Sequence, residues 1–477
     1  MGRFAPLLPE LILSIGGTIL MMLAAFTGRR GSALTNWLAV ALLLVATAAL
    51  IGAPSHAGTV FDNFVSEDLF ASFGKAIIYP AAAVAIIAAH GWFERDAEHS
   101  SEYAVLIVFA AVGMSVMVSA TSLIALYVGL ELQSLASYVL ASYRRTDERS
   151  AEAGLKYFVL GALASGILLY GISLLYGFTG TMNFNGIAAA FGRGAPSLGM
   201  LFGLVFVLAG LAFKASAVPF HMWTPDVYEG APTPVTAFFA SAPKVAAVLL
   251  ATRLCIEGLG PATDAWRQIV IFAALASIFL GAVAAYGQTN IKRLLAYSSI
   301  NNVGFAMIGL AAGGPRGASA VLFYMAVYVV MTLGAFLCVL WMRDADGRPV
   351  ESIASLSGLA QTRPAFAAAL AIFMFSLAGI PPLFGFWPKL VVFSAAVASG
   401  YVALAVAGII GTVVGAYYYL RIVKVMYMDE PGEPYSRPRQ PLQGLLILLA
   451  ALLVSPLGYL LIGPLGALTD RAAGSLF

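Results

Sequence analysis

Charge is what this 477-residue chain has least of. Lys, Arg, Asp and Glu together make 10% of it, against about 25% in a soluble globular chain. That scarcity excludes an ordinary soluble domain, and a net charge of +3 is too small to suggest nucleic acid as a partner. Cysteine is nearly absent. Cys255 and Cys338 are the two present, too few for an iron–sulfur cluster, and each falls within or at the end of an apolar run as a small packing residue. There is no Gly-rich nucleotide loop and no haem attachment motif. Any redox chemistry must belong to other chains. Alternating strands of about 10 residues, the mark of a membrane β-barrel, are missing too.

Apolar length is what the chain has. It is 61% hydrophobic with a mean hydropathy of +0.90. Fourteen runs reach the roughly 20 residues a helix needs to cross an apolar core. Their approximate limits are 5–27, 33–52, 70–92, 102–120, 122–143, 153–177, 199–222, 232–256, 265–286, 291–314, 318–342, 364–396, 401–428 and 442–463. An all-α polytopic membrane protein is expected. The segments 178–198, 343–363 and 429–441 read as connectors. The first run is not expected to be a cleaved signal, because only Arg3 precedes it while Arg29 and Arg30 follow. Counting loop Lys and Arg puts fifteen on one side and six (Arg3, Arg193, Arg253, Arg267, Arg316 and Arg471) on the other. The positive-inside rule then places both termini outside the cytoplasm.

Charges inside the runs are the candidates for function. Five of the seven lysines lie there: Lys75, Lys156, Lys214, Lys244 and Lys389. Lys292 and Lys424 sit at helix ends, where a lysine is cheap. A lysine at mid-bilayer costs about 2.5–3.5 kcal/mol on insertion scales and usually marks an ion or proton route. Glu131 is the one acid deep in a run and is expected to partner Lys214 in a charge-coupled site. Lys244 has no second deep acid beside it and is expected to give up its proton and act as an acceptor. Lys389 reads as a relay or exit position. His221 follows Lys214 by seven residues, nearly one helical face. Lys156 is one turn inside its run and within reach of the surface, while Lys75 reads as a shallow anchor. The tenth run carries Tyr297, Asn301 and Asn302. Tyr324, Tyr328 and Thr332 share one face of the eleventh, where they could line water or tie helices together.

Two runs share an unusual pattern. The seventh reads Lys214-Ala-Ser-Ala-Val-Pro219-Phe-His221-Met-Trp223-Thr-Pro225, and the twelfth Gly379-Ile-Pro381-Pro382-Leu-Phe-Gly-Phe-Trp387-Pro388-Lys389. Both have prolines six apart. Such helix breaks survive at membrane depth only against protein or a wet cavity, and at matching places in two halves they point to a transport site.

The stretch Gly210–Pro234, with Lys214, Pro219, His221, Trp223, Pro225, Asp226, Tyr228 and Gly230, resembles the signature of the antiporter-like membrane subunits of respiratory complex I. Leu294-Leu-Ala-Tyr297-Ser-Ser-Ile-Asn301-Asn302-Val-Gly304 resembles their second signature. The Asp226–Ala231 form is similar to that of the smallest of the three such subunits. A standalone cation/proton antiporter subunit is the alternative. The resemblance implies two inverted five-helix repeats, helices 4–8 and 9–13, each with a broken helix. It implies residues 1–100 as three preceding helices, 101–260 and 261–430 as the repeats, and 431–477 as a last helix. It further implies proton transfer along Glu131, Lys214, Lys244 and Lys389, with His221 and Lys156 on the same polar axis. A relay role at Asn301 and Asn302 does not follow from it. No cofactor is expected in this chain; NADH, FMN, iron–sulfur clusters and quinone belong to partner subunits. The partners implied are other membrane-arm subunits, including a second antiporter-like subunit and small membrane subunits, with membrane lipid and no nucleic acid. The place implied is a bacterial plasma membrane.

Overall fold

A computed structural model describes residues 5–51, 58–61, 63–90, 92–93, 101–436 and 440–477. Arg3, Arg95, Arg437 and Arg439, used in the loop-charge count, lie outside the described residues, as do the side chains of Arg29 and Arg30.

The described chain is almost all helix. In order the helices are α1 (Leu8–Thr27), α2 (Ser32–Ile51), α3 (Leu69–Ala89), α4 (Glu102–Ser119), α5 (Leu123–Ala141), α6 (Glu148–Thr179), α7 (Phe184–Phe191), α8 (Leu198–Ala215), α9 (Trp223–Gly230) and α10 (Thr233–Phe239). They continue as α11 (Ala242–Arg253), α12 (Thr263–Tyr286), α13 (Ile291–Ala312), α14 (Gly314–Val339), α15 (Leu359–Thr362), α16 (Pro364–Ala378), α17 (Phe386–Ala398), α18 (Val402–Met428), α19 (Pro441–Val454) and α20 (Ile462–Gly474). One antiparallel hairpin, β1 (Gly58–Val60) with β2 (Val65–Glu67), precedes α3. Several helix starts carry side-chain caps. Asp68 accepts from Ala71 N, Ser122 from Ala125 N, Ser197 from Met200 N and Asn290 from Lys292 N, satisfying donors a first turn leaves free.

Among the described residues twelve helices are long and apolar enough to cross a membrane, and thirteen if the bent pair α19 and α20 is one span. The expected run 364–396 is delivered as two shorter apolar helices, α16 and α17, because Gly379–Gly385 breaks it. The run 199–222 stops at Ala215 and resumes as α9. The run 232–256 is also interrupted, at Ala240 and Ser241, and Pro243 lies in the first turn of α11. The last run bends by 64° and stays helical to Gly474. Two expected connectors contain short helices, α7 and α15.

Glycine sets the closest helix pairs. A Cβ on Gly113 of α4 would lie 2.5 Å from Gln133 N of α5, and one on Gly304 of α13 would lie 2.7 Å from Ala274 O of α12. Only a residue without a side chain lets backbones meet so closely. Cys255 and Cys338 are free and buried.

Candidate functional site: a line of buried lysines

The two helix breaks build the site. In each the first half-helix ends in a left-handed residue, Ser216 after α8 and Gly379 after α16. Each loop holds a cis X-Pro bond, at Val218–Pro219 and Pro381–Pro382. The second proline of each pair, Pro225 or Pro388, lies in the first turn of the restarted helix, where a missing N–H costs nothing. The last carbonyls of α8 and α16 therefore lack intrahelical donors and attract positive charge.

Lysines supply it. Lys389 is 4% exposed, and its Nζ donates to Leu377 O and Ala378 O, both at 3.0 Å. The ammonium also lies 4.6 Å over the Phe305 ring. Lys244 is 1% exposed and donates to Ala215 O at 3.3 Å, with the Tyr228 and Trp223 rings 5.7 and 6.0 Å away. Lys214 points elsewhere. Its Nζ donates to Ser134 Oγ at 2.6 Å and Tyr138 OH at 3.2 Å on α5.

Glu131 lies on α5 one turn before Ser134. Its carboxylate accepts a hydrogen bond from Ser165 Oγ of α6. Among the described residues no ion pair joins it to Lys214. The two expected partners are charges on neighbouring rungs, each held by hydroxyls: Ser165 for Glu131, Ser134 and Tyr138 for Lys214. His221 sits half-buried in the α8–α9 break with its Nδ1 buried and without a hydrogen-bond partner. The broken helix cancels the shared face with Lys214 that a continuous one would have given.

Lys156 reaches the end of the bundle where the repeats' signatures meet. It pairs with Glu152 and Asp226, both at 2.7 Å. Asp226 also binds Arg293 of α13 at 2.7 Å, and Arg293 binds Glu229 at 3.0 Å. Lys292, expected to be a cheap helix-end lysine, is 2% exposed. It donates to Glu229 O, Ala231 O and Glu351. A polar cavity of about 190 Å³ opens among Arg149, Glu152, Lys156, Asp226, Glu229 and Arg293.

Neutral polar groups fill the second half. Tyr324 donates to Asn302 Oδ1 at 2.7 Å, Asn302 Nδ2 donates to Tyr419 OH at 3.2 Å, and Tyr419 OH and Ser298 Oγ are 2.5 Å apart. Tyr328 OH and Ser299 Oγ are 2.7 Å apart. The Tyr324–Tyr328 stripe thus ties α14 to α13. Tyr419, the last of three adjacent tyrosines at 417–419, is not singled out by sequence, since neighbours in a row show no helical period. Two expectations fail at the other end of the bundle. Lys75 is no shallow anchor but fully buried, held by Glu10 and Glu67. Arg253, counted as a loop charge, is fully buried too, bonded to Asp68 and Glu257.

A helical membrane chain with paired helix breaks, each capped by a buried lysine, belongs to the class of antiporter-like subunits. Residues 120–415 match the family described as NADH:quinone oxidoreductase/Mrp antiporter, TM, and the chain belongs to that family. It is 62% identical over 471 residues to NADH-quinone oxidoreductase subunit N of Rhizorhabdus wittichii, covering 98% of each chain, and 58% identical over 470 residues to subunit N of Sphingopyxis alaskensis, also covering 98% of each. A chain of respiratory complex I from Thermus thermophilus superposes with a TM-score of 0.82 at 31% identity, over 96% of this chain and 98% of that one. A chain of the Mrp complex from Dietzia shares the fold, with a TM-score of 0.83 at 22% identity over 98% and 97%.

Proposed function

We infer that this chain is the proton-translocating membrane subunit N of an NADH:quinone oxidoreductase. The observation that carries the inference is the row Lys214, Lys244 and Lys389. Each is a buried ammonium held by hydroxyls or helix-end carbonyls and, among the described residues, touched by no carboxylate. Neutral donors and acceptors hold a lysine without locking its charge, unlike a contact ion pair. The chain carries no redox centre of its own; NADH, FMN, iron–sulfur clusters and quinone belong to partners. Those partners are membrane-arm subunits, including a second antiporter-like subunit and small membrane subunits, in a bacterial inner membrane. The likeness to the Dietzia Mrp chain favours a standalone antiporter only at the level of fold, whereas the 62% identity to a subunit N favours complex I.

Membrane crossings 4–8 and 9–13, counted as the apolar runs of the sequence, act as two inverted repeats within residues 101–260 and 261–430, the twelfth crossing made by α16 and α17 together. Residues 1–100 add three helices and 431–477 a last one. Both termini face the periplasm. Protons enter at Lys156 and Asp226, pass to Lys214 and then, with His221 and water bridging, to Lys244 and Lys389. Glu131 acts through the α5 face: while ionised near Lys214 it favours the charged lysine, and when its charge is drawn away Lys214 releases a proton towards Lys244. Moving one charge against on the order of 180 mV costs roughly 4 kcal/mol. A change in a lysine's proton affinity of about three pKa units is of the same size.

The experiment is proton translocation by the assembled complex in proteoliposomes. Lys244→Arg keeps a positive charge that cannot be released at these pH values. It is expected to stop translocation as completely as Lys244→Ala. Wild-type translocation by Lys244→Arg would mean a fixed charge suffices there and would overturn the relay.

A further inference from the structure

One more group of buried charges lies apart from the lysine row, where α1, α3 and α4 meet the end of α11. Lys75 Nζ lies 2.5 Å from Glu10 Oε1 of α1 and in contact with Glu67 Oε1 of β2. Two carboxylates therefore share one fully buried ammonium. Ser119 of α4 donates to Glu67 at 3.1 Å. Ser115 donates to Glu10, and its Oγ is also 2.7 Å from Tyr79 OH. Beside them Arg253 binds Asp68 at 2.7 Å and Glu257 at 2.8 Å, and its Nε donates to Val118 O at 3.0 Å.

The charges do not balance. Among the described residues four carboxylates (Glu10, Glu67, Asp68 and Glu257) face two cations. Of the other helices packed on α3, α2, α10 and α19 bring no charged side chain, α14 carries only Arg316, and α20 carries Asp470, bonded to Ser319, and Arg471. An unbalanced buried charge is costly, and two acids sharing one site hold a proton more tightly than either alone. A second observation marks the same spot: Glu10 Oε2 is buried with no hydrogen-bond partner among the described residues. Burial pushes the Glu67 carboxyl up to about 7, with Lys75 opposing it. A metal ion would not answer the imbalance as well, because the Lys75 ammonium already occupies the place between the two carboxylates.

We propose that Glu10, Glu67 and Lys75 form a second protonatable site, in which one of the two carboxylates holds a proton, at the end of the bundle where α1 begins and α11 ends. It rests on the proton-translocating function above. Arg253, which abuts the site, is nine residues beyond Lys244 on the same helix, about 13 Å away. The site is a release station: a proton reaching Glu67 leaves to water at that end, and both carboxylates are then ionised around Lys75.

The test measures protons moved per NADH by the assembled complex in proteoliposomes, varying pH only in the compartment that receives protons. The wild type is expected to show a dependence with its midpoint near 7. Glu67→Gln and Glu10→Gln are expected to lose that dependence and to lower the ratio by about twofold or more, the scale of a removed proton-transfer group being larger still. Lys244→Ala is run alongside. If both Gln variants keep the wild-type ratio and pH profile while Lys244→Ala is inactive, the cluster is only a structural ion pair and the proposal falls, with the function intact. If Lys244→Ala also pumps, the function itself falls. A dependence on Na⁺ in place of pH would likewise overturn the proton assignment. Should Glu67→Gln fail to assemble, Glu10→Gln and Ser119→Ala decide by their pH profiles.

Discussion

The two helix breaks solve one problem with different residues. Five residues before its cis-proline the first carries Lys214, and the second carries Leu377; one residue past its second proline the first carries Asp226, and the second Lys389. The lysine has changed sides of the break. Yet in both halves an ammonium ends up on the carbonyls that close the first half-helix. In the second, Lys389 reaches back over its own break to Leu377 O. In the first, Lys244 arrives from a different helix and takes Ala215 O, which frees Lys214 to face Ser134 and Tyr138. The exposed carbonyls demand a cation, but not one from a set position. The first half thereby gains two lysines and an acid at mid-depth, whereas the second has one lysine and a chain of neutral Tyr, Ser and Asn groups. In the proposed relay, charge is exchanged in the first half and conducted through neutral groups in the second.

Disrupting the second break should have the largest effect. A Cβ on Gly385 would lie 2.0 Å from Ser376 O, so Gly385→Ala is expected to cost about 1–3 kcal/mol or more from overpacking and to deplete the assembled complex in a membrane immunoblot. Met222, at the matching place in the first break, is 59% exposed, and Met222→Ala is expected to assemble normally. Equal assembly of the two variants would remove the contrast.

Next in size is Glu131→Gln, which keeps the shape and removes the charge of the first half. Translocation per NADH is expected to fall about tenfold, equivalent to about 1.4 kcal/mol, in a complex that still assembles. Unchanged translocation would show that Glu131 and Lys214 do not act together.

Asp226→Asn should do less. It weakens the bridge in which Lys156 of the first half and Arg293 of the second share one carboxylate, but partly exposed ion pairs are each worth only about 1 kcal/mol or less. A several-fold slowing of translocation with a normal yield is expected. A complete block would raise Asp226 to the rank of Lys244. The last experiment leaves activity untouched: a reporter active only in the cytoplasm, fused after Phe477, should stay silent. Activity there would reverse which end takes protons up and which releases them.

Composition and the proline pairs, read with the family signatures, already carried the architecture. Apolar runs of about 20 residues have one stable answer in a bilayer, and Pro219, Pro225, Pro382 and Pro388 mark breaks because proline cannot continue a helix interior. Buried Lys214, Lys244 and Lys389 were legible for the same reason, since each is too costly to leave in lipid.

What no single stretch could show is which group answers each charge. Glu10 is far in sequence from Glu67 and Lys75, which are eight residues apart, and Lys75 looks shallow in its own segment; only the packing of α1 and β2 against α3 buries the three together. Arg253 counts as a loop charge until α11 is seen to place it under Asp68. Glu131 and Lys214 look like an ion pair until α5 and α6 interpose Ser134 and Ser165. Sequence by itself determined where charge must be hidden, because the cost of a charge in lipid is local. Tertiary structure alone decided the partners, because hydrogen bonds and ion pairs act over a few ångströms between segments that meet only in the folded chain.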